Sequence, residues 1–466
     1  MLFKKSYSGL VAFTLTLVLS GCAQQSAISL DKDDLPAPKN WAEQDKIDLP
    51  SNDVNWLNML LSESVVKTVG KAITNNYNLQ QQALGLKALE QSAIASGATL
   101  WPSLNLSFNN SRRKNATSGS YSSSHDLNLS LQYEIDIWGK LSASDRQVNL
   151  QLASQQAQYE QTKQNLIANV VQAWYQVSLE NQQLALNEKR LANTKQNLAI
   201  IESGYESGLN SALDVYLTRN EVATETSRVA TQKSTLKAAI RTLELLVGEY
   251  PAGVLTTDIE IPLVTESYLP GLPSEVIANK PSLQASWLSL MAKDAGLAYA
   301  HKQRFPSISL TASIGAGSTD LSDLLTNDIG WSLLGNLTQP LFNAGRLKAN
   351  EEKAKFETKQ SEQGYLSELN GAFADVENRL TKDSNLKVSY MAYQQALENA
   401  DLAQQLSFEQ YIKGLVSYTT VLDAQSRAFN AQSSLIQAKY QTLENRLQLH
   451  LALGGNFNSI LSNGSN

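Results

Sequence analysis

Few side chains in this chain could do covalent or metal chemistry. Its 466 residues include one cysteine, Cys22, and three histidines, His125, His301 and His450, far apart in the sequence. No ligand spacing for a metal appears, and a single cysteine leaves no disulfide to form. A Gly-x-Ser-x-Gly elbow, a phosphate loop and a His-Glu-x-x-His pair are all missing from the sequence. Acidic residues are plentiful on helical stretches, where a solvated face is their usual place. No enzyme, cofactor or metal centre is therefore expected. Cys22 has a context of its own. Lys4 and Lys5 precede a short apolar run ending in "LTLVLSGC", the layout of a secretory leader. Leu19-Ser20-Gly21-Cys22 resembles a lipobox, which points to cleavage before Cys22 and acylation of its thiol. Cleavage would remove Lys4 and Lys5 and take the formal charge from −6 to −8.

A second kind of chemistry is the partition between lipid and water. In "HDLNLSLQYEIDIWG", His125 to Gly139, every second residue is apolar: Leu127, Leu129, Leu131, Tyr133, Ile135 and Ile137. Between them stand Asn128, Ser130, Gln132, Glu134 and Asp136. That alternation predicts a strand with one apolar face and one polar face that ends in two carboxylates. Ile308, Leu310, Ala312 and Ile314 repeat the pattern; the strand returning from them (Ile329, Trp331, Leu333, Leu337) is interrupted by Gly335. Beyond the leader no apolar run reaches 18 residues, so no membrane-spanning helix is expected. If the chain crosses a membrane it does so with strands. A pI near 5.4 and no basic stripe argue against nucleic acid as a partner.

The elements that must position these faces come in two copies. Gly139 and Gly345, Tyr159 and Tyr365, Tyr205 and Tyr411, Gly208 and Gly414, and Gly248 and Gly454 all stand 206 positions apart, without a gap from 139 to 248. Each copy reads as a helical segment (about 66–99 and 282–304), a Pro-led β-hairpin (101–137 and 305–342), and a long helix pair broken near 208 or 414. The long stretch carries a heptad series, Val170, Val177, Leu184, Leu191 and Leu198. Residues 141–208 would span roughly 100 Å as one helix, and the return about 57 Å. The expected organisation is thus a signal peptide at 1–21, a lipidated linker at 22–65, a first repeat at 66–248, a connector at 249–281, a second repeat at 282–454 and a tail at 455–466. The fold class is mixed α and β.

Two hairpins give four strands, whose bare edges lipid does not tolerate. A small closed barrel needs about eight. Two chains would supply eight strands and an interior nearly filled by side chains; three would supply twelve and a wet lumen, which suits the polar face.

The residues resemble those of the TolC-type outer-membrane efflux ducts, in particular the NodT-like lipoprotein branch serving resistance-nodulation-division pumps. The motifs that carry this are "GLVSYTTVLDAQSRAFNAQ" at Gly414, "YEIDIWGK" at Tyr133, "LFNAGR" at Leu341, "GLNSALDV" at Gly208 and "LPSEVIANKPSL" at Leu272. In the last, Lys280-Pro281-Ser282 stands where the family usually has Arg-Pro-Asp. The resemblance implies a homotrimer with a shared 12-stranded barrel and a hollow periplasmic cylinder of helices. It implies a lipid-anchored outer-membrane location, with Ala23 after the lipidated cysteine in keeping with export there. Gly208, Leu209, Gly414 and Leu415 would be the helix tips that meet a periplasmic adaptor, and an inner-membrane pump would complete the system. Asp423 matches a carboxylate facing a narrowed pore, where three copies would hold hydrated cations. Thr420 stands where some members carry a second aspartate. Asp214 and Tyr411 match tethering positions, and a Tyr411 hydroxyl to Asp214 carboxylate bond is expected. Val416 replaces an arginine that joins this network in some relatives. A structural lipoprotein or coiled-coil adaptor would explain the heptads but not the paired hairpins. A type I protein secretion duct is the other use of the same fold.

Overall fold

The computed structural model describes residues 62–258, 260–263, 272–324, 326, 328–455 and 457, with short pieces at 27–28, 30, 35 and 37–42. Cys22, the leader, most of the 22–65 segment and nearly all of the tail lie outside the described residues. The elements are α1 (Glu63–Asn75), α2 (Tyr77–Ala98), β1 (Ser103–Lys114), β2 (Tyr121–Ile135), α3 (Lys140–Glu206), α4 (Ala212–Val247), α5 (Pro273–Asn279), α6 (Pro281–Lys302), β3 (Ser307–Ser318), β4 (Gly330–Thr338), α7 (Arg346–Ile412) and α8 (Tyr418–Ala452). The repeat is visible in the elements themselves. Helices α3 and α7 are both 67 residues long and begin 206 positions apart.

Two compact units emerge, and each draws on both repeats. One comprises Gly85–Gln156 and Ala285–Glu368 with the N-terminal piece, and it holds the sheet. Its four strands run in the order β1-β2-β3-β4, all antiparallel. Pro102 and Pro306 stand immediately before β1 and β3, where a missing N–H costs no ladder bond. Gly335 does not interrupt β4 as the sequence suggests. It pairs opposite Leu310, and the strand runs through it. A Cβ at that glycine would lie 3.6 Å from Leu310 Cδ2, so the larger side chain opposite covers the gap.

The other unit comprises Pro36–Leu84, Ala157–Gln284 and Leu369–Asn466. Its main core packs Val65 and Val69 of α1 against Ile167, Val170, Val171 and Val177 of α3, Leu243 and Val247 of α4, and Leu443 and Leu447 of α8. The heptad series holds at Val170 and Val177, which are buried, then drifts. Farther along α3 the fully buried positions become Leu186, Arg190, Thr194, Asn197 and Ile201, with Leu184, Leu191 and Leu198 half-buried. A straight helix of 3.6 residues per turn moves off a strict seven-residue register by ~20° each heptad.

The helical segment expected at 66–99 is two helices, divided at Asn76. There the backbone turns extended, Asn76 Oδ1 accepts from Leu79 N at 3.0 Å, and Asn76 Nδ2 donates to Leu246 O at 2.9 Å. A short amide side chain that bonds nearby backbone offers the chain an alternative to continuing the helix. At the far end of α4, Gly248 adopts φ 81° beside Asn75; a Cβ there would come 2.5 Å from the Asn75 carbonyl oxygen.

Candidate functional site: the two-faced sheet and the helix tips

The register assigns every strand residue to a face. Leu104, Leu106 and Phe108 of β1 pair with Leu131, Leu129 and Leu127 of β2. Those pair in turn with Ala312, Ile314 and Ala316 of β3, and Ala312 and Ile314 face Leu333 and Trp331 of β4. One face of the sheet is therefore apolar across all four strands. The other carries Asn105, Ser107, Asn128, Ser130, Gln132, Ser309, Thr311, Ser313, Ser332 and Asn336, with Leu334 as its exception. Large apolar side chains lie open on the first face, including Leu106, Trp331 and Leu337. An exposed apolar surface of that extent marks a membrane or protein contact. β1 and β4 are edge strands with unpaired outer sides.

Two sequence assignments are corrected here. Asp136 is not the last polar residue of a wet strand face. β2 ends at Ile135, and Asp136 caps the next helix, accepting from Leu141 N at 2.9 Å, Ser142 N at 2.8 Å and Ser142 Oγ at 2.6 Å. Ile137 likewise lies in the turn, beyond the strand. Four unpaired N–H groups begin every helix, and a carboxylate one residue past the strand satisfies them better than it would wet a sheet. Glu134 keeps its place in β2 but forms an ion pair with Lys140 at the start of α3. The two carboxylates tie strand to helix.

At the other functional region, α3 and α7 end in matching turns. Gly208 (φ 73°) donates to Tyr205 O and Leu209 to Gly204 O; Gly414 (φ 71°) donates to Tyr411 O and Leu415 to Gln410 O. These are Schellman closures, in which the left-handed position favours glycine. Leu209 and Leu415 follow the glycines and stand 83% and 71% exposed. Behind these turns Ile201, Val215, Tyr418 and Val421 form a small buried cluster, against which Phe408, Tyr411 and Leu422 pack.

Tyr411 is half-buried there, its ring 5.2 Å from that of Tyr418. Its hydroxyl donates to Asn210 Oδ1 at 3.1 Å and not to Asp214. Asp214 is engaged elsewhere. It forms a capping box with Ser211 at the start of α4, with Asp214 N donating to Ser211 Oγ at 3.2 Å. The Ser-x-x-Asp spacing at 211–214 is the sequence signal of that role. Burial pushes the Tyr411 hydroxyl above its ordinary pKa, and the nearby Asp214 charge adds to the shift. Asn210 is held in turn by donation from Nδ2 to Ile201 O at 3.1 Å, and it lies against Gly204, where any Cβ would collide with it.

Thr420 occupies in α8 the place that Asp214 occupies in α4, 206 positions earlier. Its hydroxyl lies 3.2 Å from that of Ser417 in the first turn. Val416 is the repeat counterpart of Asn210. Asp423 is exposed and pairs along its own helix with Arg427, Nε to Oδ2 2.9 Å. The structure thus brings Tyr411 to the 208–211 turn through Asn210, and leaves Asp423 outside that contact.

One further cluster escaped the sequence reading. Arg190 Nε lies 2.9 Å from Glu225 Oε1, Arg190 NH2 lies 3.0 Å from Glu221 Oε1, and Arg228 Nε lies 3.3 Å from Glu225 Oε2. Glu225 is wholly buried, and burial raises its pKa against the pull of Arg190 and Arg228. The Arg190 guanidinium sits 5.3 Å from the Phe429 ring centre, joining α3, α4 and α8. Glu221 and Glu225 are four apart and so share a helix face. Nothing in the sequence told that arrangement from an ordinary solvated face.

The family model for outer membrane efflux proteins matches residues 68–249 and 272–455, one block for each repeat. The chain belongs to the outer membrane efflux protein family. It is 28% identical over 459 residues to SilC of Salmonella typhimurium, described as a probable outer membrane lipoprotein, covering 96% of this chain and 98% of that one. It is 28% identical over 456 residues to the cation efflux system protein CusC of Escherichia coli K12, covering 96% and 99%. A solved CusC structure superposes with a TM-score of 0.82 at 24% identity, covering 92% of this chain and 99% of that one. The fold is that of the TolC-like channels. This efflux family member is an outer-membrane channel component, and its open four-stranded sheet is one chain's share of a barrel wall. Among the described residues, no helix is long and apolar enough to cross a membrane, and no group of three or more His, Cys, Asp or Glu could hold a metal ion.

Proposed function

We propose that three copies close a twelve-stranded barrel and form an outer-membrane duct for a tripartite efflux system, anchored additionally by acylated Cys22. The observation that carries this reading is the sheet: four strands in unbroken register, one face apolar, the other polar, and both edges bare. Closure satisfies the edges, lipid covers Leu104–Ile135 side chains on one side, and water fills the other. Twelve strands leave an aqueous lumen where eight would not.

The exposed Leu209 and Leu415, with the glycine turns at Gly208 and Gly414, are the surfaces offered to a periplasmic adaptor, and a resistance-nodulation-division pump supplies the substrate. Near the same end, the Tyr411–Asn210 bond, with Asp214 and Thr420 fixing the first turns of α4 and α8, holds neighbouring helices together and restricts the pore. Asp423 lines that restriction, and Arg427 beside it partly offsets the carboxylate charge. The cation efflux function of CusC makes cations a candidate cargo. Such a cargo needs no resident binding site in a wide duct.

Planar-bilayer conductance together with the native mass of the detergent-extracted assembly tests the proposal. A trimer that conducts is the expected result. A monomer, or a trimer without conductance, refutes it. Mass spectrometry of the mature N-terminus tests the anchor; an unmodified chain starting beyond residue 22 removes it.

A further inference from the structure

The apolar face of the sheet has a charged margin that the duct itself does not use. We infer that Arg112, Lys114 and Tyr121 form a docking site, on the lipid-facing side of the barrel, for the phosphorylated headgroup of an outer-leaflet lipid. This rests on reading the sheet as a membrane barrel.

Register fixes the side. The row Leu104, Leu106, Phe108 continues along the same face of β1 to Asn110, Arg112 and Lys114, opposite His125, Ser123 and Tyr121. No bulge breaks the pairing between Ser103↔Gln132 and Lys114↔Tyr121, so the two cations share the face of the apolar residues. Arg113 falls on the opposite face. Position fixes the height. Arg112 lies four residues beyond Phe108, roughly 13 Å along the strand. A barrel tilt of about 40° turns that into a rise of about 10 Å, from the hydrocarbon edge into the headgroup layer. The opposite strand ends run into α3 and α7, so this margin faces the exterior.

The side chains are already gathered. The Arg112 guanidinium carbon lies 5.0 Å from the centre of the Tyr121 ring and Lys114 Nζ 5.4 Å from it. One tyrosine thus holds both cations over the end of the apolar band, with its ring toward lipid and its hydroxyl toward water. Among the described residues neither cation makes an ion pair. The occupant follows from complementarity. An amphiphile whose acyl chains lie on Leu106, Phe108 and Leu127 places its headgroup at Arg112 and Lys114, and a phosphate accepts the arginine fork and the lysine charge together. The rival occupant is protein. Asp320, Asp323 and Asp328 lie in the β3–β4 connection, and closure brings a neighbouring β4 beside β1.

The test reconstitutes the native assembly, an Arg112→Gln/Lys114→Gln variant and an Arg113→Gln control in neutral phosphatidylcholine. Diphosphorylated lipid A or its dephosphorylated form is added, and retained lipid is read by native mass spectrometry, with conductance measured in parallel. The native assembly and Arg113→Gln should retain the phosphorylated form about tenfold better, and the double variant should lose that preference. Inorganic phosphate should not displace the lipid. Four results overturn the site: no preference in the native assembly, an undiminished preference in the double variant, equal loss in Arg113→Gln, or displacement by inorganic phosphate, which would mark a free-anion site. If any of these accompanies normal conductance, the duct reading stands and the lipid site alone fails. A native protein that does not conduct overturns both. A double variant that assembles poorly yet keeps its lipid preference assigns the cations to the neighbouring chain's aspartates and likewise overturns the site.

Discussion

Replacing Leu129 with arginine is the sharpest probe of the sheet, because the neighbouring position supplies its own control. Leu129 sits between Leu106 and Ile314 on the apolar face, one rung from the middle of the band that runs from Leu127 to Ile135. An arginine facing lipid at the midplane of a barrel costs about 2–4 kcal/mol, falling toward the interfaces. At one rung from the middle, most of that penalty applies. Three copies in one ring bring the total to about 6–12 kcal/mol, comparable to the whole stability of an ordinary domain. Ser130 is the adjacent residue on the other face, between Asn105 and Ser313, and its hydroxyl makes only a 3.5 Å contact with Asn105 O. Ser130→Arg places its charge in lumen water and should cost little. The assay is urea-titrated unfolding of the assembly in lipid bilayers, with the fraction of trimer read by native mass. Leu129→Arg should collapse the trimer fraction and Ser130→Arg should leave it nearly intact. Equal behaviour of the two variants refutes the face assignment, and a milder Leu129→Arg inverts it.

Three other outcomes follow from the helical unit. Arg190→Met leaves the buried Glu225 with only Arg228, at 3.3 Å, and should cost about 3–5 kcal/mol, with much of the loss recovered by adding Glu225→Gln; urea unfolding followed by circular dichroism measures both. Tyr411→Phe removes the bond to Asn210 (about 0.5–1.5 kcal/mol) and should raise the open fraction in single-channel records, whereas Asp214→Ala keeps the Ser211 cap and removes only the reciprocal 3.4 Å bond from Ser211 N, a loss of about 0.5 kcal/mol. Because the two residues do not bond each other, their coupling should stay below the roughly 1.5–3 kcal/mol of a charge-assisted bond; a coupling of that size would restore the direct Tyr411–Asp214 bond. Glu244 is buried, which pushes its pKa up, but N–H bonds from Gly253, Val254 and Leu255 outweigh this and hold the carboxyl below its ordinary value. A depressed carboxyl contributes stability at neutral pH that is lost as pH falls through its lowered pKa. The native protein should therefore lose stability below about pH 4.3. Glu244→Gln should start less stable at pH 7 and show a shallower acid slope in melting temperature, and parallel slopes would contradict the assignment.

Legibility in the sequence followed the range of the interaction. The strand faces were readable because alternation of side chains is a property of consecutive residues, and Leu127 to Ile135 state it without a partner. The repeat was readable because the lengths of α3 and α7 are held equal over 67 residues. Ends were less readable. Asp136 continues the strand's polar pattern, yet unpaired helix N–H groups claim it, and a local alternation cannot show which demand wins. The seam positions Leu184, Leu191 and Leu198 lost their full burial because the helix kept its own pitch. Least readable were the contacts between segments distant in sequence. Asn210 lies 201 residues from Tyr411, and Arg190 meets Glu225 across a turn. No spacing rule reaches that far.

In the proposed gate, Tyr411 meets a partner that no local spacing announced. A carboxylate partner would bind the Tyr411 hydroxyl with a charge-assisted bond, contributing about 1.5–3 kcal/mol. Asn210 is neutral, and a neutral bond contributes about half as much. Val416, at the equivalent place in the second repeat, can donate no side-chain bond at all. The Tyr411 tether is therefore uncharged, and salt should hardly alter it, since screening acts on charges; the charged contact between α3 and α4 at this end is Arg219 with Glu202. The charged pairs nearby, Asp423 with Arg427 along α8 and Arg219 with Glu202 between α4 and α3, are both exposed and contribute little to holding the helices. On the proposed gate reading, what would hold this end closed is chiefly the apolar cluster of Ile201, Val215, Tyr418 and Val421, on which Tyr411 packs. An adaptor that engaged Leu209 and Leu415, as proposed, would act on apolar side chains at the turns that border this cluster, and opening would require it to unpack side chains more than to break ion pairs.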